Sequence, residues 1–310
     1  PMLLTYQSVD SSNESSSFCS DDLFVMLEDN ASGFNNKCSI AVGRMPARSY
    51  AQARNNVDKL IKYINNTDLG SWKANVMIAA DDQNDGVHME QAESIINLYT
   101  RYGGENNIYN RVYIDAFDLT TSGSGLVSEG GRKRFYNWLN EGTMWLSYIG
   151  HASPTGWTGE SLLTYTDINS LYNRRWPFVF AATCEFSRFD AGNTSGGEII
   201  YNNPNGGAIA ELSSTRLAYI PNNGALNNAV AKYVFLRDEN GEVLPIGEIV
   251  RKGKNDLMND ENKLRYVLFG DPAMRLTIPK YVAEIETING HDINSDDMPT
   301  FQARQSLTFT

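Results

Sequence analysis

The sequence predicts an α/β protein: a mostly parallel sheet flanked by helices. Two observations carry that prediction. From about Ser39 onward, short apolar runs alternate with amphipathic stretches, the pattern of β-α-β units. The chain has 310 residues, 41% of them hydrophobic and 20% charged, enough to bury a large core in one domain or two smaller ones.

Taken in order, the elements begin with a helix after Ala47 and Arg48, where Val57, Leu60, Ile61 and Ile64 fall at the i, i+3, i+4, i+7 spacing. Val76–Ala80 follows as a buried strand. The next helix places Ile95, Leu98, Tyr99 and Tyr102 on one face and is stopped by Gly103 and Gly104. Val112–Asp115 is a strand, Thr121–Gly125 a flexible loop, and the region from Lys133 to Asn140 a helix. Met144–Ile149 is a strand that runs into Gly150-His151, and Phe178–Ala182 one that runs into Thr183-Cys184. Ala208–Leu212 (strand), Ala225 to Phe235 (helix) and Tyr266–Pro272 (strand and turn) complete the alternation. Beyond Pro279 the pattern changes to the alternating Val282–Ile288 and a polar end, expected to open a following β-sandwich-like domain or to form a mobile tail. The expected divisions are an N-terminal segment over 1–38 completing a preceding subdomain, the main domain over 39–278, and 279–310.

A net charge of −11 argues against nucleic acid or an anionic lipid surface as main partner, since both would repel the chain. No run approaches the ~20 apolar residues of a membrane-spanning helix, and the opening Pro-Met-Leu-Leu has no charged leader, so a mature or excised soluble piece is expected. Of the three cysteines, Cys19 and Cys38 flank a short polar segment and can pair, which would leave Cys184 odd.

The chemistry is narrowed by scarcity. With only His88, His151 and His291, no paired histidines and no C-x-x-C, a zinc site is not expected. A phosphate-binding loop and a G-x-S-x-G elbow are also missing. What remains is Cys184, 33 residues after His151, each just past the C-terminal end of its own strand, where open α/β sheets build their sites. Neighbouring parallel strands would bring thiol and imidazole together, a pair sufficient for nucleophilic catalysis. On spacing alone a buried, inert thiol is the competing account, because cysteine is among the most buried residue types.

Tyr148–Ser153 (Tyr-Ile-Gly-His-Ala-Ser) followed by Ala181–Phe186 (Ala-Ala-Thr-Cys-Glu-Phe) resembles the His and Cys motifs of the gingipain peptidases. Val42–Pro46, Met77–Asp82, Ile96–Gly103 and Leu268–Pro272 recur in the same order, and the resemblance spans roughly residues 20 to 278. It implies a caspase-like fold and a cysteine peptidase acting on proteins or peptides. Cys184 matches the nucleophile and His151 the base; Asp82, or alternatively Asp81, matches the carboxylate that orients the imidazole. The oxyanion hole is expected from the backbone N–H of Cys184 and a donor near Gly150-His151, namely Ala152, where this chain departs from the usual His-Gly. Trp157, Tyr219 and Glu185 are expected to border the substrate.

The basic-residue specificity of the best-known members is not implied, because their acidic pocket position falls near His88, with Glu90 the nearest acid. Ser20–Asp22, Asp81-Asp82 and Thr183–Asp190 resemble the branch that serves as the sortase of type IX secretion. That implies a secreted bacterial enzyme at the outer-membrane surface. It would remove C-terminal sorting domains, with other secretion-system components as partners and a lipopolysaccharide amine as acceptor. No cofactor is required; calcium as a structural ion can be held by the dense oxygen ligands of Asp81–Asp85.

Overall fold

In the computed structural model, which describes residues 4–11, 13–28, 36–123, 125–281, 284–296 and 299–310, alternate residues of one buried strand set the layering. Strand β1 (Asn75–Ala80) turns Val76, Ile78 and Ala80 into one apolar cluster and Met77 and Ala79 into another, as the two-residue period of a strand requires. A strand buried on both faces reads as a continuous apolar run; β1 is followed by β2 (Ile108–Tyr113), a partly exposed edge strand, by the wholly buried and mostly apolar β3 (Trp145–Ile149) and β4 (Phe178–Ala182), and by β5 (Ala210–Ser214), buried but carrying Glu211, Ser213 and Ser214. With β6 (Tyr266–Phe269) they form a sheet of order β6-β5-β4-β3-β1-β2, parallel throughout except for β6.

Helices cover both faces. Residues of α2 (Val87–Tyr99), α6 (Ile220–Val234) and α7 (Ile246–Asp256) enter the cluster over Val76 and Ile78, together with Tyr63 of α1 (Tyr50–Asn65). Those of α3 (Glu129–Glu141), α4 (Tyr165–Ser170) and α5 (Gly196–Asn202) enter the cluster over Met77 and Ala79. Among the described residues no helix is long and apolar enough to cross a membrane.

Several elements depart from the sequence reading. Helix α1 forms, but Val57, Ile61 and Ile64 are exposed, and its buried face is Asn56, Lys59 and Tyr63. The reason is polar: Lys59 Nζ donates to the carbonyls of Tyr201, Asn203 and Gly206, and Asn56 bonds Asn202, so α1 caps the end of α5. Strand β5 starts two residues later than expected, because the Ala208 and Ile209 N–H groups go to Ile200 and Pro177 instead of the ladder. The Thr121–Gly125 loop is the tip of a short hairpin pairing Thr120–Ser122 with Gly125–Val127; residue 124 lies outside the described residues. Cys19 and Cys38 are not paired: both are free and buried, and burial pushes each thiol up to about 12.

The N-terminal stretch pairs Tyr6–Gln7 with Cys19–Ser20. It is fixed by the buried Asp22–Lys254 ion pair, whose Nζ also donates to the Tyr266 carbonyl, and by a two-bond contact of Arg44 with Asp21. The chain divides into two compact units, Pro1–Ile278 and Pro279–Thr310. In the second, Thr287–Ile288 pairs antiparallel with His291–Asp292 and Ile288 bridges Phe309. Of the strand expected over Val282–Ile288, residues 282 and 283 lie outside the described residues, and ladder pairing is confined to Thr287–Ile288.

Candidate active site

The sheet register aligns three strand ends. Ala80 of β1 lies opposite Ile149 of β3, and Ile149 opposite Ala182 of β4. Two residues past that row come Asp82, His151 and Cys184, on adjacent strands whose backbones run about 4.8 Å apart. Sequence position alone pointed to strand ends; the register puts all three at one level.

Asp81 is fully buried, and its two oxygens are both taken: Oδ2 accepts the His151 N–H at 2.9 Å and Oδ1 the Asp82 N–H at 3.0 Å. Between strand and imidazole stands Gly150 at φ +154°, where an added Cβ would sit 2.3 Å from Asp81 Cβ. Only glycine permits this approach. On the other side the Tyr148 hydroxyl donates to the His151 carbonyl at 2.5 Å.

The imidazole partner is neither aspartate. His151 Nε2 lies 2.6 Å from Asn84 Oδ1, and the same oxygen is 3.2 Å from Nε2 of His88. The two rings meet edge to face at 5.4 Å. Since an amide oxygen only accepts, both rings present Nε2–H to it, which leaves Nδ1 of a neutral His151 as its basic nitrogen. His88 is buried, and burial with His151 alongside holds it down to about 4, so it stays neutral. Asn84 is a residue that sequence reasoning missed, although it lies in the Asp81–Asp85 stretch after β1; its type carries no catalytic signature. Asp82 bonds Asp81 through its N–H and places no hydrogen bond on the His151 ring.

Cys184 is partly buried. Its Sγ donates to the Ala218 carbonyl at 3.4 Å and accepts the Ala218 N–H at 3.3 Å, with no hydrogen bond to the imidazole. Burial raises the thiol pKa, the Ala218 N–H and Arg265 opposing and Glu185 adding to the rise. The resting group is therefore a thiol at neutral pH. Around it the turn is tightly fixed: the Thr183 carbonyl accepts from Ser214 Oγ at 2.7 Å, and the Glu185 N–H donates to Ser214 Oγ and to the Arg216 carbonyl. The Cys184 N–H makes no hydrogen bond among the described residues. Ala152 enters a two-residue antiparallel ladder opposite Trp157.

Of the residues expected to border a substrate, Tyr219 stands next to Ala218, half exposed, with its hydroxyl donating to Ser15 and Arg265 stacked on its ring at 5.0 Å. Trp157 is wholly buried, stacked on Tyr148 at 4.3 Å, and belongs to the core beneath the site. Glu185 is buried and its carboxylate is paired with Arg188 at 2.7 Å. Behind the Arg216–Tyr219 segment runs the N-terminal stretch: the Glu14 carbonyl accepts the Leu217 N–H, Arg265 reaches the Ser15 carbonyl, and Arg216 bonds Ser17 and Ser11. A cleft of about 440 Å³ opens beside His151, lined by Gln83, Ser153, Thr155, Thr158 and Tyr165 among others.

Residues 1–277 match the profile of peptidase family C25. None of the curated proteins matches the chain in sequence. Among solved structures, the Arg-specific cysteine proteinase gingipain R (RGPB) superposes with TM-score 0.69 at 18% identity, over 86% of this chain and 61% of that one. The complex of Porphyromonas gingivalis RgpB pro- and mature domains gives 0.69, 18%, 86% and 62%. A structure described as a protease gives 0.65, 16%, 94% and 66%. The chain thus spans about three fifths of the length of the gingipain chains it matches. At these identities the shared property is the fold, which is the caspase-like α/β arrangement expected from the motifs.

Proposed function

The chain belongs to peptidase family C25, and from that membership we propose a cysteine peptidase in which Cys184 is the nucleophile and His151 its base. The observation that carries the reading is the shared register of their strands, which sets both residues two positions beyond the paired Ile149 and Ala182.

In the proposed reaction Cys184 leaves its Ala218 contacts and yields its proton to His151 Nδ1. Sulfur then attacks the scissile carbonyl, and the imidazolium returns the proton to the departing amine, leaving a thioester on Cys184. Water or an amine resolves the thioester. The Cys184 N–H, free of other hydrogen bonds, is suited to the developing oxyanion. Asn84 holds the ring from its Nε2 side, and Asp81 holds the backbone of His151. Neither requires Asp82 to act on the imidazole.

For the finer role, the motifs Ser20–Asp22 and Thr183–Asp190 support a PorU-type sortase of type IX secretion. It would be exported to the outer-membrane surface, where the thioester passes from a sorting-domain cleavage site to a lipopolysaccharide amine. A second reading, a scaffold that keeps the fold without turnover, is favoured by one observation: Cys184 Sγ hydrogen-bonds the Ala218 backbone and not the His151 ring.

Mass spectrometry after exposure to a thiol-directed peptidyl electrophile separates the two. A peptidase gives single labelling at Cys184 that is at least about tenfold slower in His151→Ala. Equal rates with and without His151, or no labelling, would leave the scaffold.

A further inference from the structure

Next to the cleft beside His151 lies a second cavity, of about 360 Å³, walled by the first turn of α1, by α4, by α5 and by the turn that follows it. Tyr165 lines both cavities. It is 48% exposed, and Asn169, four residues on, stands on the same face of α4.

The floor of the cavity is fixed by hydrogen bonds that occupy its polar groups. Asn202 bonds Asn56 and the Pro46 carbonyl, while Asn203 accepts the N–H groups of Asn205 and Gly206 and donates to the Leu171 carbonyl. Glu198, the one charged residue of the lining, is paired through both oxygens with Arg48. The rim is the opposite. Gln52 Nε2, Asn169 Oδ1, the hydroxyls of Thr194 and Tyr165 and the side-chain amide of Asn205 make no hydrogen bond among the described residues.

Such a set selects its ligand. A primary amide carries donor and acceptor side by side, which matches two neighbouring hydroxyls of a sugar ring, each able to donate and to accept. The negative face of an aromatic ring suits the C–H face of a pyranose. With Glu198 already paired, the lining offers no free charge, and a chain of net charge −11 repels anions, so the fitting ligand is neutral. An extended peptide is read by a sheet edge and by apolar side-chain pockets; here no strand contributes, and beside Tyr165 only Ile199 and Pro204 are apolar. The volume falls in the range of ~300–1,000 Å³ that small-molecule sites occupy.

We propose that this cavity is a subsite for a neutral saccharide, seated on the Tyr165 ring and held by the amides of Gln52, Asn169 and Asn205. Because Tyr165 is shared with the cleft beside His151, the saccharide is carried by a glycosylated reaction partner. That last step rests on the peptidase reading; saccharide binding itself does not.

The test is saturation-transfer difference NMR on the whole chain with glucose, galactose, mannose, N-acetylglucosamine and their disaccharides, followed by calorimetric titration, with glucuronate and an uncharged tetrapeptide as comparisons. At least one neutral sugar should bind with a millimolar Kd, and glucuronate should bind at least about tenfold more weakly. Tyr165→Ala should weaken binding at least about tenfold, whereas Tyr165→Phe, which keeps the ring, should stay within about threefold of wild type. Asn169→Ala should also weaken it, and Tyr281→Ala, at an exposed tyrosine of the second unit, should change nothing. Folding of each variant is checked by circular dichroism. The proposal is overturned if no neutral sugar binds below about 50 mM, or if the folded Tyr165→Ala binds as wild type does, for then the sugar sits elsewhere. It is equally overturned if the tetrapeptide binds more tightly than every sugar and loses that binding in Tyr165→Ala, which would make the cavity a peptide site. Because the readout is binding, failure here leaves the labelling comparison of Cys184 and His151 unaffected.

Discussion

At Asn84, one amide oxygen faces two imidazoles. Its removal leaves His151 free to rotate and to exchange tautomers, and takes from His88 the amide oxygen its Nε2 faces. Asn84→Ala is therefore expected to slow Cys184 labelling at least about tenfold with the fold intact, as loss of an imidazole-orienting group does elsewhere. Circular dichroism and labelling kinetics across pH check this. In wild type the rate should climb with pH, since the buried thiol is the limiting acid. Little of this residue-scale detail was legible in the sequence. Cys184 and His151 stood out by type and by their place after apolar runs. Asn84 and Ala218 act through an amide oxygen and a backbone N–H that many residues could supply.

At the scale of elements, the continuous runs Val76–Ala80 and Phe178–Ala182 gave strands at the expected positions because burial on both faces forces an apolar residue at nearly every step. Helix α1 shows the limit of periodicity: the apolar stripe located the helix but not its buried face, since a lysine bonded to three carbonyls was the better partner for α5. A polar anchor likewise decides how α7 meets the N-terminal stretch. Lys254→Met strands the buried Asp22 carboxylate and is expected to cost about 3–5 kcal/mol, measured by urea unfolding. The double change with Asp22→Asn should recover part of the loss, because no charge is then left unpaired.

For the whole molecule, the central sheet carries a buried acid of its own. Glu211 of β5 is fully buried, accepts a hydrogen bond from Ser187 Oγ at 2.6 Å, and is pushed up by burial to about 8. Its folded pKa exceeds the ordinary value of 4.5. Its contribution to stability is therefore whole below about pH 4.5 and is lost as pH rises to about 8, since over that span the unfolded chain releases the proton first. Glu211→Gln should flatten this slope: urea midpoints of variant and wild type converge near pH 5 and separate, variant higher, near pH 8. A variant midpoint that falls with pH as steeply as that of wild type would show that Glu211 is not the titrating group. The layering of such a sheet was readable from alternation and length, but its strand order was not, and an acid inside a run such as Ala208–Leu212 gave no hint of which layer would enclose it.

Ser11, Glu14, Ser15 and Ser17 sit behind Arg216–Tyr219, joined to it by backbone and guanidinium contacts. The wall nearest the thiol is in this sense a composite, made of two lengths of chain some two hundred residues apart that share no covalent neighbourhood. Ribosomal synthesis delivers the first of these long before the second. That wall is therefore among the last parts of the molecule to be completed, and a nascent chain carrying Cys184 lacks it until Arg265 has emerged and folded onto Ser15.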